Sequence, residues 1–332
     1  MAWPERWFPF VLLAVLGAAS VEAGEDAGTS ATLLPAAPPA VELDVKYNIS
    51  PEELNQILAA IPAAPRAEPR RPRRLLVFSR AAGFYHDAIP HGAQLFAHLG
   101  ARTGAFAAVV TDDPAVFEPD SLSRFDAVLM NNTTGEIFRP GNYAELDDAA
   151  RAAADRTAAR YRTSLAQFVA RGGGLAGIHA ATDTLYEWPE YGEMIGGYFA
   201  GHPWNEEVGV TVVEPDHPLT AAFAGDFTIA DEIYQFREPY SRGKVRVLLA
   251  LDPARTDMTR PGINRDDLDF PISWIRNYGA GRVFYGSLGH RREIFWHPAV
   301  VQFYLDGIQF VLGDLDADAD PVPGQSEPSE HP

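Results

Sequence analysis

Cysteine is absent from the 332-residue chain. Disulfides, thiolate nucleophiles and Cys-based zinc sites are thereby excluded. A chain without thiols is also indifferent to the redox compartment in which it folds. Basic charge is scarce: 27 Lys and Arg stand against 45 Asp and Glu, a formal net charge of −18. That excess argues against nucleic acid or an anionic membrane surface as partner and suits a neutral or cationic small molecule. Long apolar runs are missing too. The N-terminal run Trp7 to Ala19 is about 13 residues, where a spanning helix needs ~18 to 20.

Three familiar signatures are also lacking. No Gly-x-Gly-x-x-Gly follows the first strand of the main domain, which argues against a dinucleotide fold. No Gly-x-Ser-x-Gly elbow occurs, which argues against an α/β-hydrolase triad. No His-Glu-x-x-His is present, so any metal site must be assembled from distant residues.

What is present begins with Arg6, the apolar run and Val21-Glu22-Ala23. Residues 1–23 read as a secretory signal, with a membrane anchor as the alternative. The expected location is periplasmic or secreted, with no membrane association after cleavage. Residues 24–73 read as an N-terminal extension. Gly24 to Ala40 is rich in Ala, Pro and Gly and is expected to be flexible. Ser50, Pro51 and Glu53 spell a capping box that starts a short helix ending near Ile61-Pro62. Pro65 to Arg74 is a Pro/Arg linker, expected as a solvated tether.

The main domain is expected over residues 74–313. Leu75 to Ser79, Phe106 to Thr111, Phe125 to Met130 and the glycine-rich run ending at Ile178 read as strands. His91 to Gly100 and Glu145 to Arg171 have helical spacing between them. Alternating strands and helices predict an α/β fold, a mostly parallel sheet with helices on both faces. The second half adds β elements: Val208 to Val213, Ile233 to Phe236, Val245 to Leu251, Ile272 to Ile275 and Arg282 to Tyr285. Val300 to Leu312 reads as a closing helix, and residues 314–332 as an acidic, disordered tail.

Chemistry points to the histidines. His86, His179 and His290 each follow the carboxyl end of an expected strand. In open α/β sheets such positions line the ligand crevice, so a shared pocket is expected. Two uses follow. His86 and His179, with a carboxylate such as Asp183 or Asp87, could hold a divalent metal such as zinc. Alternatively one imidazole acts as general base while the others bind substrate. His202-Pro203-Trp204 reads as a turn in which Trp204 stacks on a sugar face, or as a buried tryptophan. Asp231-Glu232-Ile233-Tyr234 places two carboxylates at a strand start, as a ligand or acid/base pair or as solvated edge charges. Glu232, Tyr234, His202 and Asn131, at the end of the third strand, are the further substrate-binding candidates. His217 and His297 precede prolines and read as structural.

The ordered segments Gly172 to Asp183, Trp188-Pro189-Glu190-Tyr191, Ile195 to Phe199, Gly201-His202-Pro203-Trp204, His217-Pro218, Asp231 to Tyr234, Pro271 to Trp274 and Gly281 to His290 together resemble the ThuA-like (trehalose utilisation) family. The resemblance runs from about Arg74 to Gly313. It implies a flavodoxin-like fold of the class I glutamine amidotransferase-like superfamily. At the nucleophile elbow of true amidotransferases stands a cysteine; here the aligned residue is His179. Glutamine hydrolysis through a thioester is therefore not expected. The resemblance implies catabolism of trehalose-like sugars through keto-disaccharides. The expected function is a secreted hydrolase, lyase or isomerase with His179, His86, His290 and Asp183 as catalytic residues. The alternative is a carbohydrate-binding or accessory protein without turnover. The expected partner is a small-molecule sugar; the oligomeric state stays open.

Overall fold

The computed structural model describes residues 41–322. The expected signal at 1–23, the stretch Gly24 to Ala40 and residues 323–332 lie outside them. Helix α1 (Pro51–Ala60) starts as its residues dictate. Ser50 Oγ accepts from Glu53 N at 3.2 Å, and the Glu53 carboxylate accepts from Ser50 N at 3.1 Å. This closes the capping box and satisfies two helix-end donors.

The main domain then alternates: β1 (Arg74–Phe78), α2 (Ile89–Thr103), β2 (Ala107–Thr111), α3 (Pro119–Leu122), β3 (Ala127–Asn131), α4 (Asp148–Ala170) and β4 (Gly174–Ile178). The second half holds α5 (Pro189–Ile195), β5 (Tyr198–Val212), β6 (Phe227–Arg237), β7 (Arg246–Leu251), β8 (Pro271–Tyr278), β9 (Gly281–Gly286) and α6 (Pro298–Val311). All nine strands form one sheet, ordered β2-β1-β3-β4-β9-β8-β7-β5-β6.

The strands from β2 to β9 pair in parallel. The remaining pairings, from β9 through β8, β7 and β5 to β6, are antiparallel. The sheet is thus half parallel and half antiparallel, not mostly parallel as expected. The cause is local. Parallel neighbours need a crossover, usually a helix. None separates β8 from β9, which turn at Gly279-Ala280 with Gly279 at φ 58°.

Alternation along the strands builds a core on each face. Leu75 and Val77 of β1 pack with α2 and α6, through Phe96, Leu99, Phe303 and Ile308. Leu76 and Phe78 pack with α4 and α5, through Leu165, Val169, Tyr191 and Met194. Period-two side chains on a strand require this division. Two boundaries differ from expectation. Helix α2 runs through Gly100 to Thr103 and ends on Gly104 at φ 71°. Gly100 is there for closeness: a Cβ would lie 2.4 Å from the Phe106 carbonyl. Strand β5 starts ten residues early, at Tyr198, with register shifts around Gly201.

The Pro/Arg segment was expected as a solvated tether and residues 314–332 as a disordered tail. Over the described residues they hold each other down. Arg66 Nε lies 2.8 Å from Asp306, Arg73 pairs with Asp314 at 2.6 Å, and Arg70 pairs with Asp316. Arg246 holds Asp318 at 2.6 Å, and Ala319 is buried against the core. Arg73–Asp314 is largely shielded from water, so removing either partner would strand a buried charge.

Burial pushes the Asp306 carboxyl up to about 6, against the opposing pull of Arg66. The unfolded value is ~3.9. Between these values the folded state binds more protons, so this group's contribution falls as pH rises. Urea denaturation of wild type and Asp306→Asn checks it. Wild type is expected to lose up to about 3 kcal/mol relative to the variant from about pH 4 to about pH 7. A pH-independent difference would reject the assignment.

Candidate functional site

Strand β4 leaves the sheet through His179, whose φ is 49°. This left-handed conformation is sparsely populated by side-chain-bearing residues and costs free energy. It projects the imidazole over the carboxyl edge, at the start of a short 3-10 turn, His179–Thr182. Several bonds hold it there. Tyr285 Oη donates to the His179 carbonyl at 2.7 Å. Tyr285 has one proton to give, so Thr182 Oγ1 donates to Tyr285 Oη at 3.1 Å. His179 Nδ1 lies 2.7 Å from the Ser287 carbonyl. A carbonyl only accepts, so Nδ1 carries a proton and Nε2 is the nitrogen turned into the site.

Two more loops converge on that nitrogen. His86 comes from the segment after β1 and His290 from the segment after β9. Ring centroids are 4.9 Å apart for His86–His179, 5.3 Å for His86–His290 and 5.4 Å for His179–His290. Glu232 comes from β6. In the sheet order β9, β8, β7 and β5 separate β6 from β4. Glu232 nevertheless lies 3.5 Å from His179 Nε2 and 3.3 Å from His290 Nδ1; the β5–β6 ribbon runs on past β7, which pairs with β5 only at Val210–Val212. One donor atom from each of His86, His179, Glu232 and His290 lies within 4.8 Å of all the others.

The electrostatics of this group are unbalanced. His86 Nδ1, His179 Nε2 and His290 Nδ1 are buried, and none has an aligned hydrogen-bond partner. Burial, with His179 and His290 alongside, pushes the His86 imidazole down to about 3. Glu232 raises the His290 imidazole above its usual value. Burial works to raise the Glu232 carboxyl, but contact with His179 and His290 outweighs it and holds the group well below the usual range. The result is an ionised carboxylate ringed by imidazoles with unspent nitrogens. Three imidazoles and a carboxylate suit zinc and related divalent ions, and these orphaned buried atoms fit such an ion.

The supporting contacts come from further out. Asp231 is fully buried and accepts from Gly289 N at 2.6 Å and Arg291 N at 2.8 Å, bracketing His290. Burial raises its carboxyl above the usual range against the pull of His179 and the two backbone donors. Asn132 donates to the Gly289 carbonyl at 3.0 Å. Gly289 itself has φ 139°, and a Cβ there would press within 3.0 Å of Ile178. The His290 loop is thereby pinned at both its turn and its flank.

The structure brings His86, His179 and His290 together as expected. It brings Glu232 into the same group; the acidic pair was expected as a ligand or acid/base pair or as solvated edge charges, and Glu232 also as a substrate contact. Asp231-Glu232 sits in mid-strand rather than at a strand start. Tyr234 shares the Glu232 face of β6, and its ring lies 4.3 Å from His179. His202 is half exposed at the rim, 3.2 Å from Glu232. Asp183 is not one of the four grouped residues; it accepts from Tyr186 Oη at 2.6 Å, and burial raises its carboxyl.

Two expected substrate contacts are corrected, Trp204 falling to its alternative reading as a buried tryptophan. Trp204 lies on β5, not in a turn, with 0% exposure. Its indole donates to the Asp257 carbonyl at 2.8 Å and packs edge-on against Phe270. It has no open face for a sugar. Asn131 is buried, and both its amide hydrogens are spent, on Ser79 and on the Ile89 carbonyl where α2 begins. His217 and His297 cap short turns or helices, as read from sequence. Sequence reasoning missed Asp231 as a loop anchor. The signal was the acidic pair itself: adjacent strand residues face opposite ways, so two carboxylates can serve two different partners.

An α/β sheet with a buried histidine–carboxylate cluster at its carboxyl edge defines a class of candidate metal or acid–base proteins. The chain belongs to the ThuA family, whose model, described as trehalose utilisation, matches residues 74–311. Among solved structures it is similar to a ThuA-like protein from Bacteroides uniformis, at TM-score 0.56 and 24% identity, covering 75% of this chain and 94% of that one. A ThuA-like protein from Parabacteroides merdae follows at TM-score 0.50 and 16% identity, covering 77% and 97%. These likenesses concern the fold. No curated protein matches the sequence.

Two substitutions check the site's construction. Asp231→Ala leaves one buried and one part-buried backbone donor without an acceptor and is expected to cost about 2–4 kcal/mol in chemical denaturation. A loss under about 0.5 kcal/mol would show that the carboxylate does not anchor the His290 loop. Trp204→Phe keeps most of the packing but loses the indole donor, and is expected to cost about 1–3 kcal/mol. Metal content and ligand affinity should be unchanged; a selective loss of ligand affinity would restore Trp204 to the site.

Proposed function

We propose that this chain is a sugar-processing member of the ThuA family, acting on a trehalose-like or keto-disaccharide substrate at the His86–His179–Glu232–His290 centre. One observation carries the reading: three buried imidazole nitrogens without hydrogen-bond partners surround one ionised carboxylate. The family's description, trehalose utilisation, supplies the substrate class. The strand order β2-β1-β3-β4-β9 of the parallel half supports a flavodoxin-like placement, related to class I glutamine amidotransferases. His179 stands at the elbow, so the chemistry is not that of a thiol.

His86, His179, Glu232 and His290 would hold a divalent cation, zinc being the best match to the donors. Such an ion would supply Lewis-acid polarisation of a sugar oxygen. The chain's own residues do the rest. Tyr234 forms a wall beside His179. His202, half exposed, and Asp183, with its raised carboxyl, are the titratable groups left to take up or return a proton. A keto group acidifies its neighbouring C–H, so a base of that kind suits elimination or isomerisation; hydrolysis is the competing outcome. Export is part of the proposal and rests on residues 1–23 alone.

Elemental analysis tests the centre. Wild type should carry about one divalent metal per chain. Glu232→Gln and His86→Ala should each weaken metal affinity at least about tenfold. Keto-sugar turnover by metal-free wild type would end the metal reading. Sugar binding by the metal-loaded protein without turnover would make it a binding protein.

A further inference from the structure

The cleft above the centre is not built by the family domain alone. A cavity of about 610 Å³ is lined by His86 and His290 and also by Glu52, Glu53 and Gln56 of α1. Helix α1 precedes residues 74–311, the part that matches the family. It is clamped in place by Glu53, which lies 3.1 Å from His91 on α2 and 3.3 Å from Arg292 beyond β9. With Glu53 so occupied, Glu52 and Gln56 remain. Both are exposed, and among the described residues neither side chain has a partner.

The same cavity is lined by Phe84 and Tyr85. They are 64% and 55% exposed, high values for large apolar side chains. Their loop is not slack. Ala82 N donates to the Thr134 carbonyl at 2.8 Å, Gly83 N donates to Thr134 Oγ1 at 3.2 Å, and Thr134 Oγ1 donates to the Phe84 carbonyl at 2.8 Å. The Phe84 ring also meets the His86 ring edge-on at 4.8 Å. Aromatic faces held open to solvent on a pinned loop mark a ligand surface. Aromatic faces together with unpaired amide and carboxylate groups match a pyranose, which has an apolar C–H face and a rim of hydroxyls.

We propose that α1 and the Phe84-Tyr85 loop form a second sugar subsite, which seats the distal ring of a disaccharide whose other ring lies at the histidine centre. Phe84 and Tyr85 stack on the ring; Glu52 and Gln56 bind its hydroxyls. The subsite rests on the reading of the centre as a sugar site.

Calorimetric titration with trehalose and with methyl α-glucoside tests it. The proteins are wild type and the double variants Phe84→Ala/Tyr85→Ala and Glu52→Ala/Gln56→Ala, all as purified. Wild type is expected to bind trehalose at least about tenfold more tightly than the glucoside. Each double variant, still carrying its metal, should bring that ratio close to one. A ratio unchanged in both variants would overturn the subsite and leave the sugar reading standing. Wild type that binds neither sugar would overturn the subsite together with the trehalose-like reading of the centre.

Discussion

The site depends on where one proton sits. His179 Nδ1–H donates to the Ser287 carbonyl, which leaves Nε2 as the nitrogen directed toward the Glu232 carboxylate at 3.5 Å. Two electron-rich atoms at that distance repel unless a proton or a cation lies between them. His86 and His290 bring further unspent nitrogens to the same place. A polar cluster in low dielectric is costly when it is only partly satisfied. The left-handed backbone at His179 adds a strain that the surroundings must over-determine. Those costs are what a bound cation would offset.

The surrounding structure reads as a support for that cluster. Tyr285 fixes the elbow from β9, and Asp231 fixes the His290 loop from β6. Asn132 ties the same loop to the end of β3. These partners come from both halves of the sheet. The parallel half supplies the elbow and its crevice, and the antiparallel half supplies the carboxylate. The β5–β6 ribbon joins the halves, since Glu232 meets His179 outside the hydrogen-bonded rows of the sheet. Adjacent residues of β6 thus have separate duties: Asp231 accepts from the His290 loop, and Glu232 joins the imidazoles.

Much of this was legible where the signal is local. The capping box at Ser50, the strand at Leu75, the elbow at His179 and the caps at His217 and His297 all follow from short-range rules. The convergence of three histidines was legible too, because each follows a strand of the parallel half and the crevice rule concerns such ends. Trp204 was expected in a turn because Gly201 and Pro203 break a strand pattern. Pairing with β6 overrides that preference, with register shifts absorbing the misfit. The Pro/Arg segment was misread for another reason: its partners Asp306, Asp314 and Asp316 lie more than two hundred residues away in sequence.

The sequence by itself determined the α/β class, the absence of thiol chemistry and the three imidazoles at strand ends. Those properties depend on residue type and short-range periodicity, which a linear reading contains. Only the tertiary structure decided that Glu232 joins the imidazoles, that Asp231 serves the loop and that Trp204 belongs to the core. Only the tertiary structure set α1 beside Phe84 and Tyr85. Each of those facts depends on chain segments far apart in sequence meeting at the sheet's edge. Such meetings are fixed by packing on both faces of the sheet and by the pairing of one antiparallel ribbon, which no local pattern encodes.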